Sequence, residues 1–141
     1  MRPETLTEVL DRIRKGEPRV IALCEFLDEF YTRPEHRPSM IAEDPSFLDD
    51  DIYDAWISGV GEHLACRWGL RVPAWTEHPQ RFLDHPWFPD NAELLKPYLI
   101  AESPASFRRR LIFTELEPLR RATFPAGQEA STDLDAAAAV V

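Results

Sequence analysis

The clearest helical pattern in the sequence is DDDIYDAWISGVGEHLACRWG, residues 49–69. Its apolar side chains recur at intervals of three and four residues, which is typical of an α-helix. The aspartates at its start can cap the helix and place negative charge where the helix dipole favours it. Gly69 suits the left-handed conformation that ends many helices. We therefore predict a long helix over this stretch.

Gly59 and Gly61 lie inside this predicted helix. Each glycine costs up to about 1 kcal/mol of helix stability relative to alanine. One interpretation is that another backbone or a bulky side chain approaches closely at these positions. The other is neutral drift on a well-packed helix, and the sequence leaves both open.

Two further helices are predicted before this one. Thr5 and Glu8 match a capping box, and Gly16 is placed to end the helix that follows. Pro18 suits the first turn of a second helix. The apolar face of that helix runs from Val20 to Tyr31.

Residues Leu70–Pro89 combine many prolines with the aromatic side chains of Trp75, Phe82, Trp87 and Phe88. We predict an ordered loop that lies across the helices, because so many aromatic rings are costly to leave in water. The rings have two possible uses. They can close the core of a small helical domain, or they can anchor a partner protein, since aromatic residues are enriched at interface hot spots.

Two helices are predicted in the C-terminal half. The first spans Asn91–Glu102, where Pro97 indicates a kink or a late start. The second spans Ser103–Glu115. An extended backbone at Leu111–Phe113 is the alternative, and helix is favoured because the flanking Arg and Glu residues are good helix formers.

These patterns predict an all-α single domain of about five or six helices over residues 1–123, with an ordered Pro/aromatic-rich loop. Residues 124–141 are predicted to be a flexible acidic, alanine-rich tail. Cys24 and Cys66 occupy apolar helix positions, and we expect buried free thiols. The predicted core consists of Leu23, Leu27, Phe30, Trp56, Ile57, Val60, Leu64, Leu95, Leu99 and Phe107.

The 141-residue chain carries 16 Lys and Arg against 25 Asp and Glu, a formal net charge of −9. This charge disfavours nucleic-acid binding, which depends on neutralising phosphates. It favours a protein partner with a basic surface, although it can also serve only solubility. With no signal-peptide pattern and no membrane-length apolar run, we expect a cytoplasmic protein that does not associate with membranes. A homo-oligomer stays an open alternative.

Sequence motifs for catalysis are missing. His63 and Cys66 share one helix face, but a zinc site needs three or four ligands and no matching motif supplies the others. No nucleophile elbow and no glycine-rich phosphate loop occurs. We therefore assign no catalytic residue, no metal ligand and no cofactor, and a small metal-dependent enzyme is the weakest alternative.

Arg108, Arg109 and Arg110 form the one compact basic cluster of the sequence. On a helix, three consecutive side chains spread over most of the circumference. One interpretation is that they pair with acidic groups of this same protein or stay solvated. The other is a basic patch that binds nucleic acid or an acidic partner.

Several stretches together resemble a set of small, uncharacterised bacterial helical proteins. They are Ala22–Tyr31, Glu62–Ala65, Leu70–Thr76, Pro86–Phe88 and Glu102–Arg110. Some of those proteins are associated with toxin-like nucleotidyltransferases, so the resemblance implies an antitoxin-like or regulatory role. We therefore expect a protein-interaction or regulatory protein, with Trp75, Trp87, Phe88 and the three arginines as candidate contact residues. The alternative is a nucleic-acid-binding regulator that uses the arginines.

Overall fold

A computed structural model describes residues 1–122 of the chain, and the predicted tail at residues 124–141 lies outside them. The described part contains six α-helices and no β-strand, which confirms the prediction of an all-α single domain. The helices are α1 (Leu6–Arg14), α2 (Arg19–Thr32), α3 (Arg37–Ala42), α4 (Asp51–Arg67), α5 (Lys96–Glu102) and α6 (Ala105–Arg108). Four short 3-10 helices lie at Pro34–His36, Ala74–Glu77, Pro79–Arg81 and Glu93–Leu95.

Helix α1 begins and ends at the predicted residues. The Thr5 hydroxyl accepts a hydrogen bond from the Glu8 backbone N–H at 3.1 Å. The Glu8 carboxylate accepts one from the backbone N–H of Glu4 at 2.7 Å, one residue before the cap. Gly16 has a φ of 105°, a conformation that side chains rarely allow.

Helix α4 is the centre of the fold, and its start and end are also as predicted. The Asp50 carboxylate caps it by accepting from the Tyr53 N–H at 3.1 Å. Gly69 follows its end with a φ of 69°. Leu64 and Ala65 on this helix have no exposed surface. Helix α6 and the 3-10 helices at Ala74–Glu77 and Pro79–Arg81 pack on α4.

The two glycines inside α4 are sites of close approach, which decides between the two interpretations. A Cβ atom at Gly59 would lie 2.7 Å from the ring of Phe107. A Cβ atom at Gly61 would lie 3.0 Å from the ring of Trp75. Each missing side chain therefore makes room for one aromatic ring from the second half of the chain.

The buried Arg81 holds the loop that follows α4. The Arg81 guanidinium donates to the backbone carbonyls of Ser46 at 2.9 Å and Asp54 at 3.2 Å. It also lies over the rings of Phe47 and Trp75. Since Arg81 is completely buried, these contacts fix the loop against α4 and the residues before it.

The C-terminal helices are shorter than predicted. A 3-10 turn precedes α5, and Pro97 lies in the first turn of α5, so the late start is correct. Helix α6 ends at Arg108 instead of continuing to Glu115, and the expectation of helix at Leu111–Phe113 is wrong. There the chain bends through a positive φ at Leu111 and forms an isolated parallel bridge with Trp87.

The core divides into a main cluster and a small second one. The main cluster contains buried side chains of α1, α2 and α4 together with Trp75, Phe107, Ile112 and Leu119. The second contains Ala92, Leu99 and Phe113. Trp56 is only half-buried and Leu95 is 54% exposed, so Leu95 is not a core residue, whereas the other eight predicted core residues are buried.

The expectation of two buried thiols is also wrong. Cys24 is half-buried and Cys66 is exposed. Both are free thiols, so no disulfide joins them. Cys66 lies on the same helix as the buried Leu64 and Ala65, but the chain that covers those two leaves this position open to solvent.

Candidate functional site

An apolar concavity of about 490 Å³ lies between α2 and α4, and we call it the α2–α4 groove. Leu23 and Leu27 of α2 line it and are buried. Val20 and Ile52 also line it but are 73% and 42% exposed, so they form its rim. Exposed apolar side chains around a concave apolar surface are typical of a binding site.

Trp87 lies at the edge of this groove on a backbone that is held at two points. Its N–H donates to the carbonyl of Leu111 at 2.8 Å, and its carbonyl accepts from the N–H of Phe113 at 3.0 Å. Ile112, between these two partners, is completely buried and lines the groove. The half-buried indole of Trp87 is thus presented from a fixed position.

Two further concavities meet the groove at Trp87. One, which we call the polar hollow, has a volume of about 510 Å³ and is lined by residues that include Asp84 and His85. The other, which we call the α5 hollow, has a volume of about 380 Å³ and is lined by residues that include Leu95 and Leu99. Trp87 lines all three concavities, so it is the central side chain of this surface.

Trp75, the second predicted contact residue, lies elsewhere. It is 8% exposed, and its indole N–H donates to the carbonyl of Ile41 at 3.0 Å. Its ring packs against Gly61 of α4. Trp75 is therefore a core residue. The structure does not bring it together with Trp87.

Phe88 belongs to the small second cluster of the core. Its ring stacks on that of Phe113, with 5.0 Å between the ring centroids. The Lys96 ammonium lies over the same ring, 5.0 Å from its centroid. Phe88 is half-buried by these contacts and does not line the groove.

The three consecutive arginines have three different environments. Arg110 is completely buried and donates to the Glu62 carboxylate and to the backbone carbonyls of Thr76 and Ser106. Arg109 bridges the carboxylates of Glu62 at 2.9 Å and Glu77 at 2.7 Å.

Arg108 is exposed, as Arg109 is, and it donates to the backbone carbonyl of Ser103 instead of to a carboxylate. Two of the three guanidinium groups are thus bound to carboxylates of this same chain. A continuous basic patch is not formed by them. Their role as contact residues stays a prediction.

Charge compensation at this cluster shifts the pKa values in opposite directions. Hydrogen bonds to Glu77 and Glu62 raise the pKa of Arg109, and the same contact with Arg109 lowers the pKa of Glu77. Burial lowers the pKa of Arg110, against the stabilising effect of Glu62. Guanidinium groups stay protonated in proteins, and the lowered pKa keeps Glu77 ionised at neutral pH, so the cluster acts as a permanent ionic clip.

His63 and Cys66 do not form a metal site in the described part of the chain, which holds no group of three or more His, Cys, Asp or Glu placed to bind an ion. His63 packs beside Phe107, with 5.7 Å between the ring centroids. Burial, with a smaller effect of Arg67, lowers the pKa of His63 from 6.5 to about 4. Its imidazole is therefore neutral at physiological pH.

Sequence reasoning missed the rim of the groove. Val20 and Ile52 were assigned to apolar helix faces, and nothing in the helical spacing separates an exposed rim residue from a core residue. A signal was nevertheless present in α2. Val20 and Ile21 are consecutive apolar residues in its first turn, and consecutive helical side chains point about 100° apart, so the two extend the apolar surface beyond a single stripe.

No helix in residues 1–122 is both long and apolar enough to span a bilayer. No protein-family model, no curated protein and no solved structure matches this chain. The resemblance to small bacterial helical proteins thus stays a prediction, and the geometry of the groove is the basis for any assignment of function.

Proposed function

We propose that this protein is an interaction protein that holds an apolar segment of a partner protein in the α2–α4 groove. The observation that carries the proposal is the combination of a buried apolar floor, an exposed apolar rim and Trp87 on a fixed backbone.

The rigidity of the site supports a binding role. A residue that is already fixed before association loses little conformational entropy when a partner binds. The bridge to Ile112 fixes the backbone of Trp87 in this way. Tryptophan is also among the residues that most often dominate the free energy of binding at protein interfaces.

The net charge of −9 supports a regulatory version of this role. An acidic protein is attracted to a partner with a basic surface, and a partner held in the groove can be restrained by it. We therefore propose an antitoxin-like regulator that acts in the cytoplasm. The alternative of a nucleic-acid-binding regulator gains no support from Arg109 and Arg110, whose charges are already balanced.

The proposal is tested by affinity purification from the native host with matched variants. Val20→Glu places a charge on the rim of the groove, and Trp87→Ala removes its central side chain. Ile21→Glu is the control, because Ile21 is 47% exposed on the same helix but does not line the groove. Circular dichroism checks that all variants remain folded.

We expect the wild type and Ile21→Glu to retain the same stoichiometric protein, and Val20→Glu and Trp87→Ala to lose it. The lost protein should then bind the purified wild type directly and compete with a synthetic peptide of its own apolar segment. Retention by all four proteins, or by none, would contradict the proposal.

A further inference from the structure

Four acidic side chains surround the Trp87 end of the groove. Asp51 and Asp84 line the polar hollow, and Asp90 and Glu115 line the α5 hollow. All four residues are exposed, and both hollows meet the groove at Trp87. Negative charge is therefore concentrated on both sides of this one indole.

None of these four carboxylates forms an ion pair within residues 1–122. The acidic groups near the α2 side of the groove are different. Asp50 pairs with Arg19 at 2.8 Å, and Asp28 pairs with Arg121 at 3.0 Å. The charges of these two pairs are balanced, whereas the four carboxylates around Trp87 have no such partner.

The tryptophans show the same asymmetry. In the described part of the chain, the indole of Trp68 carries the guanidinium groups of Arg37 and Arg67, and the indole of Trp75 carries that of Arg81. No cation of residues 1–122 lies over Trp87, nor over Trp56, whose ring packs on that of Phe107 instead. Since indole faces attract cations, Trp87 offers an unused site for one.

We infer that the partner segment is amphipathic and cationic, with apolar side chains in the α2–α4 groove and lysine or arginine at the Trp87 end. Its cations would lie between Trp87 and the surrounding carboxylates, where charge and indole face act together. This inference rests on the proposed function.

The experiment uses the full chain and two synthetic amphipathic peptides. Both carry leucine at intervals of three and four residues, and the first has lysines at one end where the second has glutamates. We expect the lysine peptide to bind roughly tenfold more tightly at low salt, because several surface ion pairs contribute together. The difference should shrink in about 1 M salt, where the Debye length falls to about 3 Å.

The variant Asp84→Asn/Asp90→Asn/Glu115→Gln tests the named carboxylates. It should bring the two affinities within about twofold of each other, while binding of both peptides persists through the apolar anchors. Asp51 is left unchanged because it stabilises the first turn of α4. The matched control, Glu35→Gln/Glu43→Gln/Glu102→Gln, removes three exposed carboxylates that line none of the three concavities and should keep the difference.

The outcomes distinguish a failure of the cationic partner from a failure of the proposed function. Equal binding of both peptides to the wild type overturns the cationic partner and leaves the proposed function standing. Binding of neither peptide overturns both.

A photo-reactive residue at position 20 identifies the occupant of the groove in the presence of the lysine peptide. A cross-link to that peptide supports the inference. A cross-link to a second copy of the chain, or to residues 123–141 of the same chain, overturns it.

Discussion

Trp75 and Trp87 belong to the same proline-rich segment, but Trp75 packs in the core and Trp87 lines the α2–α4 groove. Trp75 fits beside Gly61 of α4, gives its indole N–H to Ile41 and carries the guanidinium of Arg81. Trp87 is equally fixed in its backbone, yet its indole faces three concavities. A rigid, proline-rich backbone alone therefore does not decide whether an aromatic ring becomes part of the core. What decides it is whether another element leaves a space of matching shape.

The largest difference in the free energy of unfolding is expected when each tryptophan is replaced by alanine. Trp75→Ala should lower the free energy of unfolding by about 3–5 kcal/mol, because it empties a space in the main core and removes a buried hydrogen bond. Trp87→Ala should lower it by less than about 1 kcal/mol. Urea unfolding followed by circular dichroism measures both. Equal losses would show that the two halves of the segment are energetically alike.

The second-largest effect on stability is expected at the ionic clip, when Arg110 is replaced. Arg110→Met leaves the carbonyls of Thr76 and Ser106 without a donor and leaves Glu62 paired only with Arg109. We expect a loss of about 3 kcal/mol, since removing one partner of a buried charge pair strands the other. Arg108→Met, at the exposed neighbour, is the control and should change stability by no more than about 1 kcal/mol. Similar losses in both variants would refute the difference in burial between them.

A smaller effect on stability is expected at Gly59, where the ring of Phe107 packs against α4. Gly59→Ala gains up to about 1 kcal/mol of helix propensity, but its Cβ would collide with a buried ring, which costs about 1–3 kcal/mol. We therefore expect a net loss of about 1 kcal/mol in the free energy of unfolding. In a Phe107→Leu background the same change should be neutral or stabilising, because the smaller side chain leaves room. A double-mutant cycle measures this coupling, and simple additivity would exclude the close contact.

The smallest effect concerns pH and the buried face of α4. The pKa of His63 is lowered to about 4 in the folded state, so the unfolded chain binds more protons between pH 6.5 and pH 4. Stability should therefore fall with decreasing pH in this window, by about 1 kcal/mol between pH 7 and pH 5.5. His63→Gln should remove that part of the slope. An unchanged slope in the variant would mean that His63 titrates as it does in water.

Much of the N-terminal half could be predicted because its signals are local. The cap at Thr5, the left-handed Gly16 and the start of α4 each depend on residues within one helical turn. The C-terminal half depends on contacts between distant residues. Leu111–Phe113 has helix-forming neighbours, but the backbone bonds of this stretch to Trp87 replace the helix. Local preference could not reveal that pairing.

The candidate site was predictable only in part for the same reason. Trp87 was identified from its residue type and its proline neighbours, and it does line the groove. The same pattern identified Trp75 and Phe88, which the structure uses in its two core clusters. The six sequence candidates thus include one groove residue, and the groove itself arises from the way α2 and α4 meet.

The space shared by Gly59 and Phe107 has a consequence for how this sequence can evolve. One position can grow only if the other shrinks, so the two are constrained as a pair although they lie on different helices. Among related chains, a larger residue at position 59 should accompany a smaller one at position 107. This covariation would be a sensitive marker for recognising distant members of the same fold, even where the rim of the groove has changed to suit another partner.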